Sequence, residues 1–329
     1  MKSPSVSVVM GVYNGERHLA ASIESILAQT LSDFELIVVN DGSRDGSRNI
    51  LEGYERLDRR VRVIDQENTG LTRALIRGCS EACGAYLARQ DCDDLSVDFR
   101  LETQVDLLER TAEAMMASCW ANYIGDNGDL LDVIKRPVDV AVATRDLLYN
   151  RRGPPAHGTV MMRRDAYEAV GGYRACFYYG QDSDLWLRLA QRGPIAYVGE
   201  VLYHARVAAD GISALRSDWQ QQFGELGQRA NAARLAGEPE DPFLLEAENL
   251  CRLITLEKRD PRADRQFRAA AYYRMGTMLS RRGNRRSREY FWSAIRANPW
   301  HWRSWCRLGI ECVCPRVTKQ PAPRHGHDP

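Results

Sequence analysis

Apolar residues in the first ninety positions alternate between two spacings. Short apolar runs bounded by turn residues predict four buried strands: 6–10, 34–39, 61–64 and 84–87. Between them, apolar residues three or four apart predict three helices: 16–29, 45–57 and 68–83. Strands that alternate with helices favour a mostly parallel sheet made of right-handed βαβ units. We therefore expect an α/β fold for this part of the chain.

Mixed signals continue to about position 215, and only helical signals follow. A strand at 114–123 is followed by a hairpin signal at 125–128, and a helix is predicted from about 183 to a Gly-Pro stop at 193–194. Four further helices are predicted: 220–236, 242–257, 264–281 and 286–297. The pattern predicts an α/β domain (1–215), a basic, Trp-rich helical extension (216–317) and a disordered tail (318–329).

Charge is distributed unevenly along the 329 residues. The whole chain has a net charge of +1, but the segment from Cys251 onward has 18 Lys and Arg against 6 Asp and Glu, a net of +12. The preceding residues therefore carry about −11, and the basic part suits anionic surfaces. With no apolar run long enough to span a bilayer and no signal-peptide layout, we expect a cytoplasmic location. Nine cysteines without framework spacing favour reduced thiols over zinc binding or disulfides.

Acidic residues follow the fourth predicted strand at once. Residues two apart in a strand point to the same side, so Asp91 and Asp93 should project together where the strand ends. Two carboxylates at such a place suit a hard divalent cation that is shared with phosphates. The alternative is a solvated acidic turn that caps the next helix through Asp94 or Ser96.

The loops after parallel strands should meet in one crevice at an edge of the sheet. These loops are 11–14, 41–43, 68–70 and 91–94. The first strand is followed by neither a Gly-x-Gly-x-x-Gly fingerprint nor a Walker-type phosphate loop. A nucleotide would therefore be held through a metal on its phosphates and through side chains on its base.

Four sequence blocks, in this order, resemble family 2 glycosyltransferases with the GT-A fold. They are Val-Ser-Val-Val-Met-Gly-Val-Tyr-Asn-Gly, Asn-Asp-Gly-Ser-Arg-Asp-Gly-Ser, Asn-Thr-Gly-Leu-Thr-Arg-Ala-Leu and Arg-Gln-Asp-Cys-Asp-Asp, and the resemblance covers roughly 5–215. It implies a Rossmann-like, mostly parallel sheet flanked by helices, with an α-helical C-terminal extension. It also implies an inverting enzyme that uses a nucleotide-sugar donor, most often UDP-linked, with Mg²⁺ or Mn²⁺.

The resemblance assigns the donor site to residues near the strand ends. Tyr13 would stack against the base, Asp41 would accept a hydrogen bond from it, and Gly11 lies in the same donor-binding segment, where the family usually has Pro. Asp93 would be the main metal ligand, with Asp91 beside it near the ribose and phosphates. As alternatives, Tyr13 packs under a loop and Asp41 caps the following helix.

A second centre is predicted in the segment Gly-Gln-Asp-Ser-Asp-Leu-Trp. Asp182 lies just before a predicted helix, whose dipole favours the carboxylate that can take a proton from a sugar hydroxyl. The family has its catalytic Asp here, so Asp182 is the predicted base, with a plain N-cap as the alternative, and Trp186 an acceptor-side residue. Asp184 is expected to be structural. His157 resembles an acceptor-side position of the family, or else orders the loop at 154–155.

The segment Tyr-His-Ala-Arg, which closes the predicted catalytic domain, adds two candidates. Arg206 would offset diphosphate charge, with a surface ion pair as the alternative. Many relatives have a metal-completing His two residues after this Arg, where this chain has Ala208. Either His204 takes that place, or the metal is held by Asp93, phosphate oxygens and water.

Tryptophans lie among arginines in the extension: Trp292, Trp300, Trp302 and Trp305. One or two of them are expected to be packed core, and a membrane-interface position is the alternative. The extension as a whole is expected to dock on the catalytic body and to contact an anionic membrane.

The leading hypothesis is a metal-dependent inverting glycosyltransferase that acts on a glycan or lipid-linked acceptor in cell-surface polysaccharide synthesis, without a nucleic acid partner. Its expected location is the cytoplasm, with peripheral contact at the inner face of the plasma membrane. A nucleotidyltransferase is one alternative, but the segment Gly-Val-Tyr-Asn-Gly lacks the basic residue of a phosphate loop. The other is a non-catalytic scaffold acting through the helical tail, which intact Asp91, Asp93 and Asp182 argue against.

Overall fold

A central sheet contains the strands predicted at the start of the chain. The computed structural model describes residues 3–256 and 260–313. The first strands are parallel in the order β3-β2-β1-β4, with bounds β1 (Val6–Val12), β2 (Phe34–Asp41), β3 (Val61–Gln66) and β4 (Tyr86–Arg89). The helices between them are α1 (Leu19–Leu27), α2 (Ser47–Leu57) and α3 (Leu71–Ser80). The predicted parallel α/β core is confirmed.

Further strands extend the sheet beyond β4. They are β5 (Leu95–Ser96), β6 (Met116–Ile124), β8 (Met161–Arg163) and β9 (Ile195–Arg206). β8 is antiparallel to both β4 and β6, β9 is parallel to β6, and β5 is antiparallel to β9. β7 (Leu130–Ile134) also belongs to the sheet and pairs with β6. The other elements here are α4 (Arg100–Arg110), α5 (Val140–Asn150), a 3-10 turn (His157–Thr159), α6 (Arg164–Ala169) and α7 (Gln181–Ala190).

Alternate residues of β1 pack on opposite faces of the sheet, as a period of two requires. Val8 and Met10 share one core with Ile23 of α1, whereas Val9 shares another with Leu75 of α3. Each of these side chains is at most 1% exposed, and such burial stabilises by about 1.5–3 kcal/mol per side chain. Because both faces are covered, the strands read as continuous apolar runs.

In the described residues after β9, every regular element is a helix. These helices are α8 (Ile212–Leu215), α9 (Ser217–Ala236), α10 (Asp241–Leu256), α11 (Pro261–Arg281), α12 (Ser287–Ala297) and α13 (Trp302–Val313). The described chain forms two compact units, a first of 3–128, 132–207 and 216–256 and a second of 129–131, 208–215 and 260–313. The first unit thus includes α9 and α10, beyond the predicted boundary at 215. The functional division at 215 stays a prediction, and the predicted tail 318–329 lies outside the described residues.

Phe223 explains why α9 belongs to the first unit. It is fully buried, and its ring centroid lies 6.2 Å from that of Phe177, in the segment that leads to α7. Asn231 of the same helix accepts a hydrogen bond from Gln191 at 2.6 Å and donates one to the Leu148 carbonyl at 3.1 Å. α9 therefore packs against the segment that contains the predicted base.

The tryptophans of α12, of α13 and of the loop between them are on the surface, so the expectation that one or two are core is wrong. Their exposed fractions run from 46% for Trp292 to 90% for Trp300. Phe291, Ile295 and Leu308 fill the core there instead. Among the helices of the described residues, none combines the length and the apolar character needed to cross a bilayer.

Cysteines of the described chain are free thiols: Cys79, Cys83, Cys92, Cys119, Cys176, Cys251 and Cys306. Burial raises the pKa of Cys79 to about 11 and that of Cys119 to about 12. Both thiols therefore stay protonated at neutral pH. Cys83 and Cys306 are exposed and the other three are partly exposed, so the expectation of mostly buried cysteines is wrong for the described chain.

A buried carboxylate secures the first turns of α7. Asp184 is fully buried and accepts two hydrogen bonds from the Arg188 guanidinium, at 3.0 and 2.6 Å. Arg174, which also bonds Glu240, lies 3.6 Å from the second Asp184 oxygen. This environment fits the structural role expected for Asp184.

Asp184→Ala should lower the free energy of unfolding by about 3–5 kcal/mol, because it leaves the buried Arg188 charge without its partner. Urea denaturation measures this loss. Asp218→Ala is the matched control, since it removes an exposed carboxylate from the first turn of α9 and should cost less than about 1 kcal/mol. Equal losses in the two variants would contradict the structural role.

Candidate active site

Hydrogen bonds join the loops that follow β1, β2 and β3. The Asn14 amide donates to Ser43 Oγ at 3.0 Å. Asp41, at the end of β2, accepts from the amides of Thr69 and Gly70 at 2.9 and 2.8 Å. The structure therefore brings together the loops predicted to meet: 11–14, 41–43 and 68–70.

Gln90 shapes the acidic turn after β4. Its side chain is fully buried, its Nε2 donates to the Asp94 carbonyl at 3.0 Å, and its Oε1 accepts from Ser96 Oγ at 2.8 Å. Gln90 thus fixes the end of the turn at Asp94. Asp91 and Asp93 are presented on a backbone that is held in place.

A buried guanidinium faces the first carboxylate of this turn. Arg89 is 1% exposed, and its Nη2 bonds Asp91 Oδ1 at 2.5 Å. Its Nη1 donates to the carbonyls of Val9 and Gln90, both at 2.7 Å, and its Nε donates to His157 Nε2 at 3.3 Å. Burial disfavours the Arg89 charge, but Asp91 together with Tyr173, Tyr203 and Cys79 outweighs burial, and the pKa of Arg89 is raised.

Asp93 is held in an environment that disfavours its charge. Burial, and then the negative charge of Asp91, raise the pKa of Asp93 to about 6. Arg206 partly opposes this shift, and its Nε donates to the Asp93 carbonyl at 2.9 Å. Its Nη1 donates to the carbonyls of Gly125 and Asp126 at 3.1 and 2.8 Å. Arg206 therefore lies at the turn and braces it through backbone groups.

The residues predicted to contact the base have different exposures. Tyr13 is 50% exposed, whereas Asp41 is 3% exposed and also accepts from Gln66 at 2.7 Å. Asp41 therefore orders the loop before α3. Gly11 permits close packing of that helix, because a Cβ there would lie 2.9 Å from Leu71 Cδ1. Contact of Gly11, Tyr13 and Asp41 with a nucleotide stays a prediction.

Asp182 lies at the edge of a cavity. α7 begins one residue earlier than Asp182, and the Ser183 amide donates to Asp182 Oδ1 at 2.7 Å. Burial outweighs this bond and raises the pKa of Asp182, so the helix N-terminus does not produce the low pKa that its dipole favours. Asp182, Trp186 and Arg136 are among the residues that line a cavity of about 400 Å³.

Charges from the acidic turn reach Asp182. Beyond burial, the Asp91 charge raises the pKa of Asp182 and the Arg89 charge lowers it. Carboxylates from the ends of β4 and the start of α7, far apart in sequence, are therefore electrostatic neighbours. The convergence of Asp93 and Asp182 on one cleft stays a prediction.

His157 is buried between Arg89, which bonds the acidic turn, and Trp186 of α7. It is 9% exposed, its Nε2 lies 2.6 Å from the Tyr173 hydroxyl, and its ring meets that of Trp186 edge-on at 6.0 Å. Burial, and then the Arg89 charge, lower the pKa of His157 well below its usual value. His157 is therefore neutral, and its position favours the ordering role over direct contact with an acceptor.

Comparison with known proteins decides the family. The profile described as Glycosyl transferase family 2 matches residues 7–171, half of the chain. The chain belongs to glycosyl transferase family 2. EpsE of Bacillus subtilis is 38% identical over 218 residues, which cover 64% of this chain and 75% of EpsE. The O-antigen biosynthesis glycosyltransferase WbnJ of Escherichia coli is 32% identical over 191 residues, 57% of this chain and 73% of WbnJ. Both are named as glycosyltransferases, and this chain is one.

Solved structures agree on the fold of the transferase. S. aureus TarS 1–349 in complex with UDP has a TM-score of 0.56 and 16% identity, with 93% of this chain and 92% of TarS covered. The mannosyltransferase PcManGT of Pyrobaculum calidifontis, in complex with GDP-Man and Mn²⁺, has a TM-score of 0.55 and 18% identity, with coverages of 96% and 89%. The GT-A fold of the transferase is confirmed.

The carboxylates of Asp91 and Asp93 are the predicted metal ligands of the transferase. In the part of the chain that the structure describes, no group of three or more His, Cys, Asp or Glu side chains is placed to hold a metal ion. The Asp91–Asp93 pair fits a hard cation, because a bound divalent charge would relieve the repulsion that raises the pKa of Asp93. An oxygen-only pair suits Mg²⁺ or Mn²⁺, with phosphate oxygens and water as further ligands.

His204 does not complete this pair into a three-residue site. It lies in β9, where the register places it beside Leu95 on one side and Asn122 on the other. Its Nδ1 lies 3.2 Å from Asn122 Nδ2. The strand register therefore directs His204 to Asn122, and the metal role of His204 stays a prediction.

Two residues near the site of the transferase escape the sequence prediction: Arg89 and Tyr178. A Cβ at Gly70 would lie 2.8 Å from the Tyr178 ring. Burial raises the pKa of Tyr178, and the charges of Asp41 and Tyr13 add to the shift, so Tyr178 lies near both predicted base contacts. Its signal in the sequence is the aromatic run Phe-Tyr-Tyr before α7, and that of Arg89 is a single cation in an apolar strand.

Arg89→Met should lower the free energy of unfolding by about 3 kcal/mol or more, since it leaves Asp91 and two backbone carbonyls without their donor. Chemical denaturation measures the loss, and Arg89→Lys should recover part of it. Arg229→Met is the control, because Arg229 pairs with Glu246 in the open, with both side chains about half exposed, and should cost less than about 1 kcal/mol. A loss as small as the control's would show that the buried pair contributes little.

The raised pKa of Asp93 predicts a pH dependence in metal-free protein. Between about pH 4 and pH 6 the folded state keeps a proton that the unfolded chain has released, so this group makes stability fall as pH rises through that window. Asp93→Asn removes the penalty and should be more stable than the parent at pH 7 by about 1–3 kcal/mol, with no gain at pH 4. Urea denaturation in the presence of a chelator measures the free energy of unfolding at pH 7 and at pH 4. Asp98→Asn is the control, because Asp98 is exposed and its substitution should change stability at neither pH. A variant less stable than the parent at pH 7 would refute the assignment.

Proposed function

We propose that the protein is a metal-dependent, inverting hexosyltransferase that moves a sugar from a UDP-linked donor to a hydroxyl of a glycan or lipid-linked acceptor in cell-surface polysaccharide synthesis. We place it in the cytoplasm, at the inner face of the plasma membrane. The observation that carries the proposal is the electrostatic proximity of Asp182, which lines a cavity, to Asp91 of the acidic turn. Such proximity is what a single displacement between a donor and an acceptor needs.

The donor side is supported by the edge of the sheet. Asp93 and Asp91 would hold Mg²⁺ or Mn²⁺ on the diphosphate, and Tyr13, Asp41 and Gly11 would border the base. When bound, the cation offsets the charge of the leaving nucleoside diphosphate. TarS in complex with UDP and PcManGT in complex with GDP-Man and Mn²⁺ have the same fold, which supports a nucleotide-sugar donor here.

The acceptor side is supported by the cavity at Asp182. A raised pKa makes the Asp182 carboxylate a stronger proton acceptor than an ordinary aspartate. It would take the proton of an acceptor hydroxyl as that oxygen bonds the anomeric carbon and the bond to the diphosphate breaks. Trp186 supports this assignment, because it lines the same cavity as Asp182.

The two alternatives have less support. A nucleotidyltransferase needs a basic phosphate loop after β1, and the turn 11–15 has no Lys or Arg. A scaffold protein has no need of a carboxylate with a raised pKa beside a cavity. The family relatives named as glycosyltransferases, including one of O-antigen biosynthesis, favour the transfer reaction.

Asp182→Asn should reduce sugar transfer at least about a hundredfold, because the amide cannot accept the proton of the attacking hydroxyl. A panel of nucleotide sugars with Mn²⁺, scored first by slow donor hydrolysis, identifies the donor for the assay. Thermal shift with UDP and Mn²⁺ should give the same stabilisation for parent and variant, since the base does not hold the donor.

Asp218→Asn, at an exposed position in α9, is the activity control and should transfer normally. Near-normal turnover by Asp182→Asn would refute the base. Absence of any UDP-dependent stabilisation in the parent would refute the donor assignment separately.

A further inference from the structure

Helices α12 and α13 and the loop between them present large apolar side chains that the core of this unit does not use. Trp292, Trp300, Trp302 and Trp305 are 46%, 90%, 66% and 48% exposed, and Ile310 is 57% exposed. The inner faces of the same helices are already filled by other side chains: Phe291, Ile295 and Leu308. The exposed residues are therefore surplus to folding of this unit. We call them the Trp surface.

The Trp surface is continuous around the corner between the two helices. The rings of Trp292 and Trp305 meet edge-to-face with centroids 5.6 Å apart. Trp305 Nε1 donates to the Pro299 carbonyl at 3.0 Å, which fastens α13 to the connecting loop. The Trp302 amide donates to the Trp300 carbonyl at 2.8 Å, so the two most exposed rings come from the same turn.

The charges on this corner are nearly all positive. Six arginines and one acidic residue lie between 285 and 310. The acidic residue, Glu289, is paired with Arg286. Arg296 and Arg303 are exposed, and the Arg303 guanidinium lies 5.6 Å from the centre of the Trp302 ring. Apolar rings and the exposed cations Arg296 and Arg303 thus lie on one surface.

We infer that the Trp surface binds the anionic face of a phospholipid bilayer. Indole rings favour the headgroup level, where one side of the ring is apolar and the other wet, and arginines there pair with lipid phosphates. Single-stranded nucleic acid also binds aromatic and basic residues, but it uses separated rings with open faces as stacking platforms. Here Trp292 and Trp305 are packed on each other and Ile310 adds aliphatic surface, which favours lipid.

This inference goes beyond the proposed transfer reaction, because vesicle binding needs neither donor nor acceptor. The full chain is floated with vesicles of phosphatidylcholine alone and with vesicles that also contain phosphatidylglycerol. At low salt we expect at least about tenfold stronger binding to the anionic vesicles and a blue shift of tryptophan fluorescence on binding. Added salt should weaken the binding.

Two double variants divide the contributions. Trp300→Ala with Trp302→Ala should reduce binding at least about tenfold, and Arg296→Glu with Arg303→Glu should reduce it about 25-fold or more, since each arginine contributes about fivefold near an anionic surface. Tyr149→Ala and Arg56→Glu are the controls, because these side chains are 65% and 76% exposed outside the Trp surface, and both should bind like the parent. Circular dichroism should superpose for all variants.

Three results would overturn the inference. The first is equal binding to neutral and anionic vesicles or to neither. The second is parental binding by both double variants. The third is binding to single-stranded RNA, or concentration-dependent self-association through these residues, without vesicle binding. None of these three results would bear on the proposed transfer reaction. Conversely, loss of transfer by Asp182→Asn would not change the expected binding to vesicles.

Discussion

The ion pair of Arg89 with Asp91 is the contact on which the site depends. Arg89 is 1% exposed and distributes its donors over Val9, Gln90, Asp91 and His157. A smaller or neutral side chain would leave buried acceptors without donors, which costs more than the net worth of the bonds themselves. The same guanidinium also acts on the pKa of Asp182. One buried cation therefore joins the ends of two parallel strands, the acidic turn and the surroundings of the predicted base.

Two aspartates of this protein show how surroundings decide the role of a side chain. Asp184 is fully buried and is neutralised by Arg188, so its charge is satisfied inside the fold. Asp93 has a raised pKa, because burial and the charge of Asp91 outweigh the help of Arg206. The environment of Asp184 stabilises the folded protein as it stands. The environment of Asp93 is stabilised when a positive charge, either a proton or a cation, is added. Perturbed carboxylates of the second kind are typical of functional sites.

Much of this arrangement follows from the sequence, and the remainder depends on packing that spacing does not encode. The apolar runs predict the strands because both faces of the sheet are covered, and parallel topology then brings the loops to one edge. The orientation of His204 depends on the pairing of β6 with β9, whose register shifts on both sides of Trp120. No local pattern announces such a shift. Helical spacing predicts α9 but not the hydrophobic core into which Phe223 packs. Arg89, as a single Arg in an apolar strand, is equally consistent with an exposed position at the edge of the sheet.

The two compact units differ in how they use their large side chains. In the first unit, two aromatic residues near the site are buried and hydrogen-bonded: Tyr173 at His157, and Tyr203, whose hydroxyl accepts from the Asp91 amide at 3.2 Å. In the second, Phe291 completes a small core while four indoles stay in water. Exposed rings of this size carry a cost in solubility, which a chain with a complete core has no folding reason to bear. These rings are therefore explained by contact with a membrane or another partner. Because arginines lie beside the rings, that partner is expected to be negatively charged.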